Sequence, residues 1–172
     1  MELNIVGTQE SVSREDIEVI ERKYKFVLPE DYKQHLLQYN GGWMKERDTF
    51  VQVEDDGERV ERRLSDFKPV KYGDTTLESS LRTVYSELHN DLVPFGTETG
   101  GDLFVISVGP EDHGSVYYIA HEFYTPPFSD DDYDEETDTV KPLLPRQYGE
   151  GVYFLAPSFT AFLDGLVVGT PA

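Results

Sequence analysis

Cysteine is absent from the 172 residues. This excludes disulfide staples, thiol nucleophiles and thiolate metal sites, and it suits a reducing compartment. No apolar run approaches the roughly 20 residues that a membrane helix needs. The opening MELNIVGTQE lacks the basic and apolar regions of a secretory leader. Basic side chains are scarce: 15 Lys and Arg stand against 34 Asp and Glu, for a net charge of −19. Such a field repels nucleic acid and anionic lipid, so neither is expected as a partner. No repeat of roughly 20–50 residues is visible, which argues against a solenoid or propeller. A soluble, cytoplasmic chain is therefore expected.

Complete catalytic motifs are also lacking. His121 and Glu122 open a zincin-like H-E-x-x-H, but Thr125 stands where the second His is needed. Gly96 and Gly101 have P-loop spacing, yet Asp102 replaces the phosphate-binding lysine. Asp130, Asp132 and Asp134 imitate the start of a calcium loop, with Glu135 and Lys141 where Gly and the bidentate Glu belong. No G-x-S-x-G elbow occurs, and Ser158 reads as a helix cap. Catalytic residues, cofactors and metal are accordingly not expected, and the chain is read as a non-enzyme.

What is present is a packed domain's worth of material. Aromatics make up 13% of the chain, too many for a disordered polyanion. Ser13 and Asp16 form a capping box for a helix over 13–25 that carries Ile17, Ile20 and Tyr24 on one face. Pro29 suits the first position of a second helix, over 29–40, with Tyr32, Leu36 and Tyr39 inward. Asn40, Gly41 and Gly42 supply its stop. Phe50, Val51 and Val53 read as a strand before an acidic turn at 54–58. Thr75 and Glu78 suggest a cap for a helix over 75–89. LFVISV at 103–108 and SVYYIA at 115–120 read as a hairpin. Phe159, Phe162, Leu163 and Leu166 form a last apolar helix ended by Gly169. The pattern is α+β: an antiparallel sheet flanked by about four helices, in a single domain spanning 1–172.

Residues 125–150 differ in character. Seven of the nine residues at 130–138 are acidic, and Pro126, Pro127, Pro142 and Pro145 flank them. Dense like charge and proline predict a surface insertion without a regular ladder or helix. The run is either a docking surface or simply a solvated face. Trp43, the one tryptophan, is expected at the core or its edge, or bordering a cleft between the second helix and the sheet.

The stretch 17–42 resembles the SUKH superfamily, which includes Smi/Knr-type fungal cell-wall-assembly regulators and bacterial immunity proteins. The residues that carry the likeness are Ile17, Ile20, Glu21, Leu28-Pro29, Asp31-Tyr32, Leu36-Leu37 and Asn40-Gly41-Gly42. Weaker matches follow at Val93-Pro94-Phe95-Gly96, Gly101-Asp102, Gly114 and Ser158-Phe159, while 54–74 and 125–150 match nothing in the pattern. The resemblance implies antiparallel strands with packed helices, and a function through protein binding. It implies an immunity protein that neutralises a cognate toxin, a nuclease by preference, by occlusion. The alternative it leaves open is a regulatory or scaffold module of the cell-wall-assembly regulator type. A nuclease cleft is basic, so the partner is expected to be a basic toxin domain. The candidate contacts are Asp130, Asp131, Asp132, Asp134, Glu135, Glu136 and Asp138, with Tyr133 among them as the aromatic anchor, and separately Trp43 at the cleft.

Overall fold

The computed structural model describes residues 3–84, 87–137, 139–140 and 142–171. In chain order the elements are β1 (Ile5–Val6), α1 (Arg14–Tyr24), α2 (Glu30–Gln38), β2 (Trp43–Met44), β3 (Thr49–Val53), β4 (Arg59–Arg63) and β5 (Asp66–Phe67). Then come α3 (Leu77–Val84), β6 (Leu92–Thr97), β7 (Leu103–Ser107), β8 (Val116–Ile119), β9 (Tyr133–Asp134), β10 (Thr139–Val140), β11 (Val152–Ala156) and α4 (Phe159–Asp164). The architecture is α+β, as the sequence implies. Five antiparallel strands form the central sheet in the order β11-β8-β7-β6-β5. β3 pairs with β4 in a separate hairpin, and β1 with β2.

Alternation along the strands divides the core in two, because successive side chains point to opposite faces. On one face Phe104, Ile106, Val116 and Tyr118 meet Ile17 and Ile20 of α1, Tyr32 and Leu36 of α2, and Phe159 and Phe162 of α4. The aromatic rings there pack edge to face: Phe95 lies 5.3 Å from Phe159 and 5.5 Å from Phe162, near perpendicular to both. Each such ring contributes roughly 1.5–3 kcal/mol by burial, and the tilted geometry suits the ring quadrupoles. On the other face Leu92, Val105, Tyr117 and Ile119 pack with Leu88 and Tyr148. A sheet covered on both sides explains why 103–108 reads as a continuous apolar run rather than an alternating one.

The helix ends show how far local signals reach. The Ser13–Asp16 capping box forms in full, with the Ser13 N–H donating to Asp16 at 2.8 Å. Pro29 sits one position earlier than expected: it is the N-cap, extended at φ −58, ψ 141, and Glu30 begins the helix. The cap of α3 also shifts by one residue, from the expected Thr75–Glu78 to Thr76–Ser79, whose hydroxyls take each other's backbone N–H. Small hydroxyls reach a backbone N–H three residues away more directly than a glutamate does. α3 is described only to Val84, short of the expected 89, and Tyr85 and Ser86 lie outside the described residues. α4 stops at Gly165, not Gly169. A Cβ at Gly165 would lie 2.7 Å from the Phe50 ring, so the chain ends the helix where β3 crosses it.

One further expectation fails inside the acidic segment. A two-residue ladder does form there, Tyr133 opposite Val140 and Asp134 opposite Thr139, preceded by a 3-10 turn at Asp130–Asp132. The prolines lie outside the paired residues and do not interrupt them.

Candidate functional site

α2 ends at Gln38 with Tyr39 extended as its C-cap, so the expected Asn-Gly-Gly stop lies beyond the helix and acts as a junction instead. Asn40 is buried, and its side chain donates to Glu10 and Lys71 carbonyls and accepts the Val70 N–H at 2.7 Å. A buried amide with every contact satisfied rigidly joins three segments. Gly42 then turns with φ +85, where a Cβ would meet the Val6 carbonyl at 2.5 Å. β1 and β2 therefore run close together, with Met44 inward and Trp43 outward.

Trp43 is 47% exposed, so it is not a core residue. A two-residue strand can bury only one of its side chains, and Met44 takes that place. The indole rests on Gly7, where a Cβ would fall 2.0 Å from the ring. With Asp66, Lys68, Pro69, Thr75 and Thr97 it lines a groove of about 350 Å³ beyond β5, at one edge of the sheet. Lys68, by contrast, is only 6% exposed. Desolvation pushes its ammonium below the ordinary lysine range, against the opposing pull of Asp66. The sequence reading missed this residue. The signal available was a single charge inside Phe67-Lys68-Pro69-Val70, a run whose other members are apolar and buried.

The acidic segment leaves β8 and returns as β11, at the opposite edge of the sheet from β5. Four strand spacings separate β11 from β5, about 19 Å. No hydrogen bond, ion pair or ring contact among the described residues joins Trp43 to 130–138. The predicted contacts therefore fall on two separate surfaces. Asp131, Asp134, Glu135 and Glu136 are exposed, Asp132 is half-buried, and Tyr133 is 45% exposed among them. Only the backbone of Asp130 is described, and Asp138 lies outside the described residues. Two of the three calcium-loop mimics hold local turns: Asp132 accepts the Ser129 N–H and Asp134 the Glu136 N–H, each at 2.9 Å.

The base of this excursion is fastened to the sheet. Thr125 and Glu150 exchange both backbone hydrogen bonds at 3.0 Å. His89, buried, bonds the Leu144 carbonyl at 2.9 Å through Nε2. The Tyr148 hydroxyl reaches both oxygens of Asp112, at 2.9 and 2.7 Å. Burial pushes the Asp112 carboxyl up, but hydroxyls from Ser107, Tyr117 and Tyr148 outweigh it and hold the group below the usual carboxylate range. Tyr148 thus anchors the C-terminal end of the 125–150 segment in the core, while its neighbours Leu144 to Gln147 and Gly149 to Glu150 stay exposed. Tyr118 makes a parallel knot with Glu98 and Asp102, and Asp102 in turn holds His121. That hydrogen bond raises the His121 pKa above the ordinary histidine value.

Carboxylates of Glu54, Asp56 and Glu58 lie within 4.8 Å of one another at the β3–β4 turn. Asp56 accepts the Glu58 N–H at 2.8 Å, so the turn itself accounts for their approach. No helix among the described residues is long and apolar enough to cross a membrane.

Comparison with known proteins finds no match among curated ones. The model of the SMI1 / KNR4 family (SUKH-1) matches residues 11–165, which runs from just before α1 to the end of α4. Within the matched span lie the buried Glu21 of α1, the Leu28-Pro29 entry to α2, the Asn40 junction and Ser158, whose hydroxyl accepts the Ala161 N–H at the start of α4. The chain belongs to the SMI1 / KNR4 family (SUKH-1).

Proposed function

We propose that the chain is a non-enzymatic binding protein of the cytoplasm that neutralises a cognate bacterial toxin, a nuclease, by covering its basic cleft. The observation that carries this reading is the acidic hairpin: exposed carboxylates around a half-exposed Tyr133, projecting from a base pinned by Tyr148, His89 and the Thr125–Glu150 bridge. A net charge of −19 steers such a molecule toward a phosphate-binding surface. Asp130, Asp131, Asp132, Asp134, Glu135, Glu136 and Asp138 then stand where substrate phosphates would, and Tyr133 supplies the aromatic anchor. Trp43, at the other sheet edge, serves a separate contact.

Calorimetry with the product of the neighbouring gene tests the reading. One-to-one binding is expected to weaken steeply as salt rises from about 0.05 to 0.5 M, as the Debye length shrinks. Replacing the seven acids of 130–138 by their amides is expected to abolish growth rescue in co-expression. An affinity indifferent to both changes overturns the electrostatic mechanism. The alternative, a regulatory module of the cell-wall-assembly type, differs in one outcome: the chain binds a resident protein and rescues nothing.

A further inference from the structure

β11 is the last strand at one side of the central sheet, and its outer edge carries main-chain groups without a partner among the described residues. Hydrogen bonding alternates along an antiparallel pair, so every second residue turns its N–H and C=O away from the neighbouring strand. The Ala120 N–H donates to Gly151 between β8 and β11, which sends the groups of Val152 and Phe154 outward. Val53 of β3 stands in the same position. Glu54 bonds Glu58 across the hairpin, so Val53 turns its own groups away from β4, and they too are unbonded among the described residues. These three residues line one open groove of about 600 Å³. Val53 and Phe154 are apolar, yet 62% and 54% exposed. Sheet edges are ordinarily guarded by charge, proline or a bulge. β11 reads VYFLA, without charge or proline, and its register shift falls only beyond Phe154.

We infer that this edge receives an extended, lysine- or arginine-bearing segment of a partner protein, which adds to β11 as a further strand. In strand addition the main chain supplies affinity and the side chains select the partner. Glu54, Asp55 and Asp56 also line the groove, and no cation belongs to its lining. Arg62, on β4, is taken up by Gln52 at 2.8 Å and by the Tyr153 ring. Charge therefore favours a basic segment, whereas a second copy of this chain, at −19, is repelled. The inference rests on the reading of the chain as a binding protein. It does not use the acids of 130–138, so the two can fail separately.

Amide exchange measured by NMR on the full chain tests this, in about 0.15 M salt so that distant charge is screened. In the free chain the amides of Val152 and Phe154 are expected to exchange quickly, with that of Tyr153 between them slow. The probe is a capped octapeptide alternating lysine and valine. It is expected to bind saturably and to slow both outer amides about tenfold or more. Two controls are expected to protect neither amide. One has glutamate in place of lysine; the other keeps lysine but is N-methylated at every residue, so it retains the charge and has no main-chain donor. Glu54→Gln, Asp55→Asn and Asp56→Asn together are expected to weaken the lysine peptide about tenfold, and neutralising the acids of 130–138 far less. The proposal is overturned by slow exchange at Val152 and Phe154 in the free chain, or by failure of the lysine peptide to protect them. Equal binding of the N-methylated peptide, or an unchanged affinity in the triple variant, overturns it as well. Protection that arises without peptide and grows with protein concentration assigns the edge to a second copy, which also overturns it. Should the triple variant not fold, the glutamate peptide decides: binding as tight as that of the lysine peptide refutes the selection by charge.

Discussion

Lowering the pH from 7 to 4.5 is expected to cost the fold about 2 kcal/mol through His35 alone. His35 lies on the inner side of α2, 6% exposed, with its ring 4.9 Å from both Phe67 and Phe159. Its Nε2 is buried with no hydrogen-bond partner among the described residues. Burial therefore disfavours the imidazolium and lowers its pKa from 6.5 to about 4. Between those values the unfolded chain binds a proton that the folded chain refuses. Stability present above pH 6.5 is lost as the pH falls toward 4, at about 1.4 kcal/mol per unit and roughly 3 kcal/mol in all. The carboxylates titrate over part of the same range, and relief of their mutual repulsion acts in the opposite direction. The His35→Phe variant isolates the term, because it retains every carboxylate and an aromatic ring at that site. Urea unfolding followed by circular dichroism at the two pH values gives the comparison. The parent is expected to lose about 2 kcal/mol more than the variant. Parallel stability profiles for the two proteins would refute the reasoning.

Three further outcomes are checked by denaturation and exchange. Glu21→Ala leaves Lys33 with only its 3.9 Å contact to Glu30 and orphans the Leu28 N–H. A loss of about 3 kcal/mol is expected in urea unfolding, most of it recovered in the double variant Glu21→Leu, Lys33→Met. Tyr148→Phe removes the hydroxyl from Asp112 and should cost about 1–2 kcal/mol, with faster amide exchange across 144–150 as the direct readout. Gly7→Ala places a Cβ against the Trp43 ring at a residue with φ +73. The backbone term alone is about 1–2 kcal/mol, and a shift in tryptophan emission is expected because the indole must move.

Short-range chemistry was readable in the sequence, and long-range chemistry was not. The Ser13–Asp16 box and the 103–120 hairpin depend on neighbours a few residues apart, and both form. α2 instead ends at Gln38 with an extended Tyr39 as its C-cap, two residues short of the expected Asn40. Pro29, the α3 cap and the end of α4 shift by one to four residues: Thr76 and Ser79 win the α3 cap locally, and α4 ends where Gly165 meets Phe50. Trp43 shows which of two open readings the local pattern could not decide: it lines a groove and does not close the core. Its outward direction follows from the pairing of β1 with β2, and that pairing is set by Gly42 approaching Val6, 36 residues away in sequence. Likewise nothing local announces that Tyr148, beyond an acidic and proline-rich run, seats itself in the second core. Lys68 needed only the observation that a lone charge interrupts an apolar run.

The path from β8 to β11 has a consequence for how such a protein diversifies. These strands are adjacent and antiparallel, and the bridge at Thr125 and Glu150 closes the detour at its neck. Chain inserted or removed within 128–143 is expected to leave the β8–β11 register and the Tyr148–Asp112 contact in place. Doubling a flexible loop adds only about 0.6 kcal/mol of closure entropy. The scaffold thus tolerates exchange of this stretch for one of different length or sign of charge, and grafting a lysine-rich sequence there would redirect the molecule without refolding it.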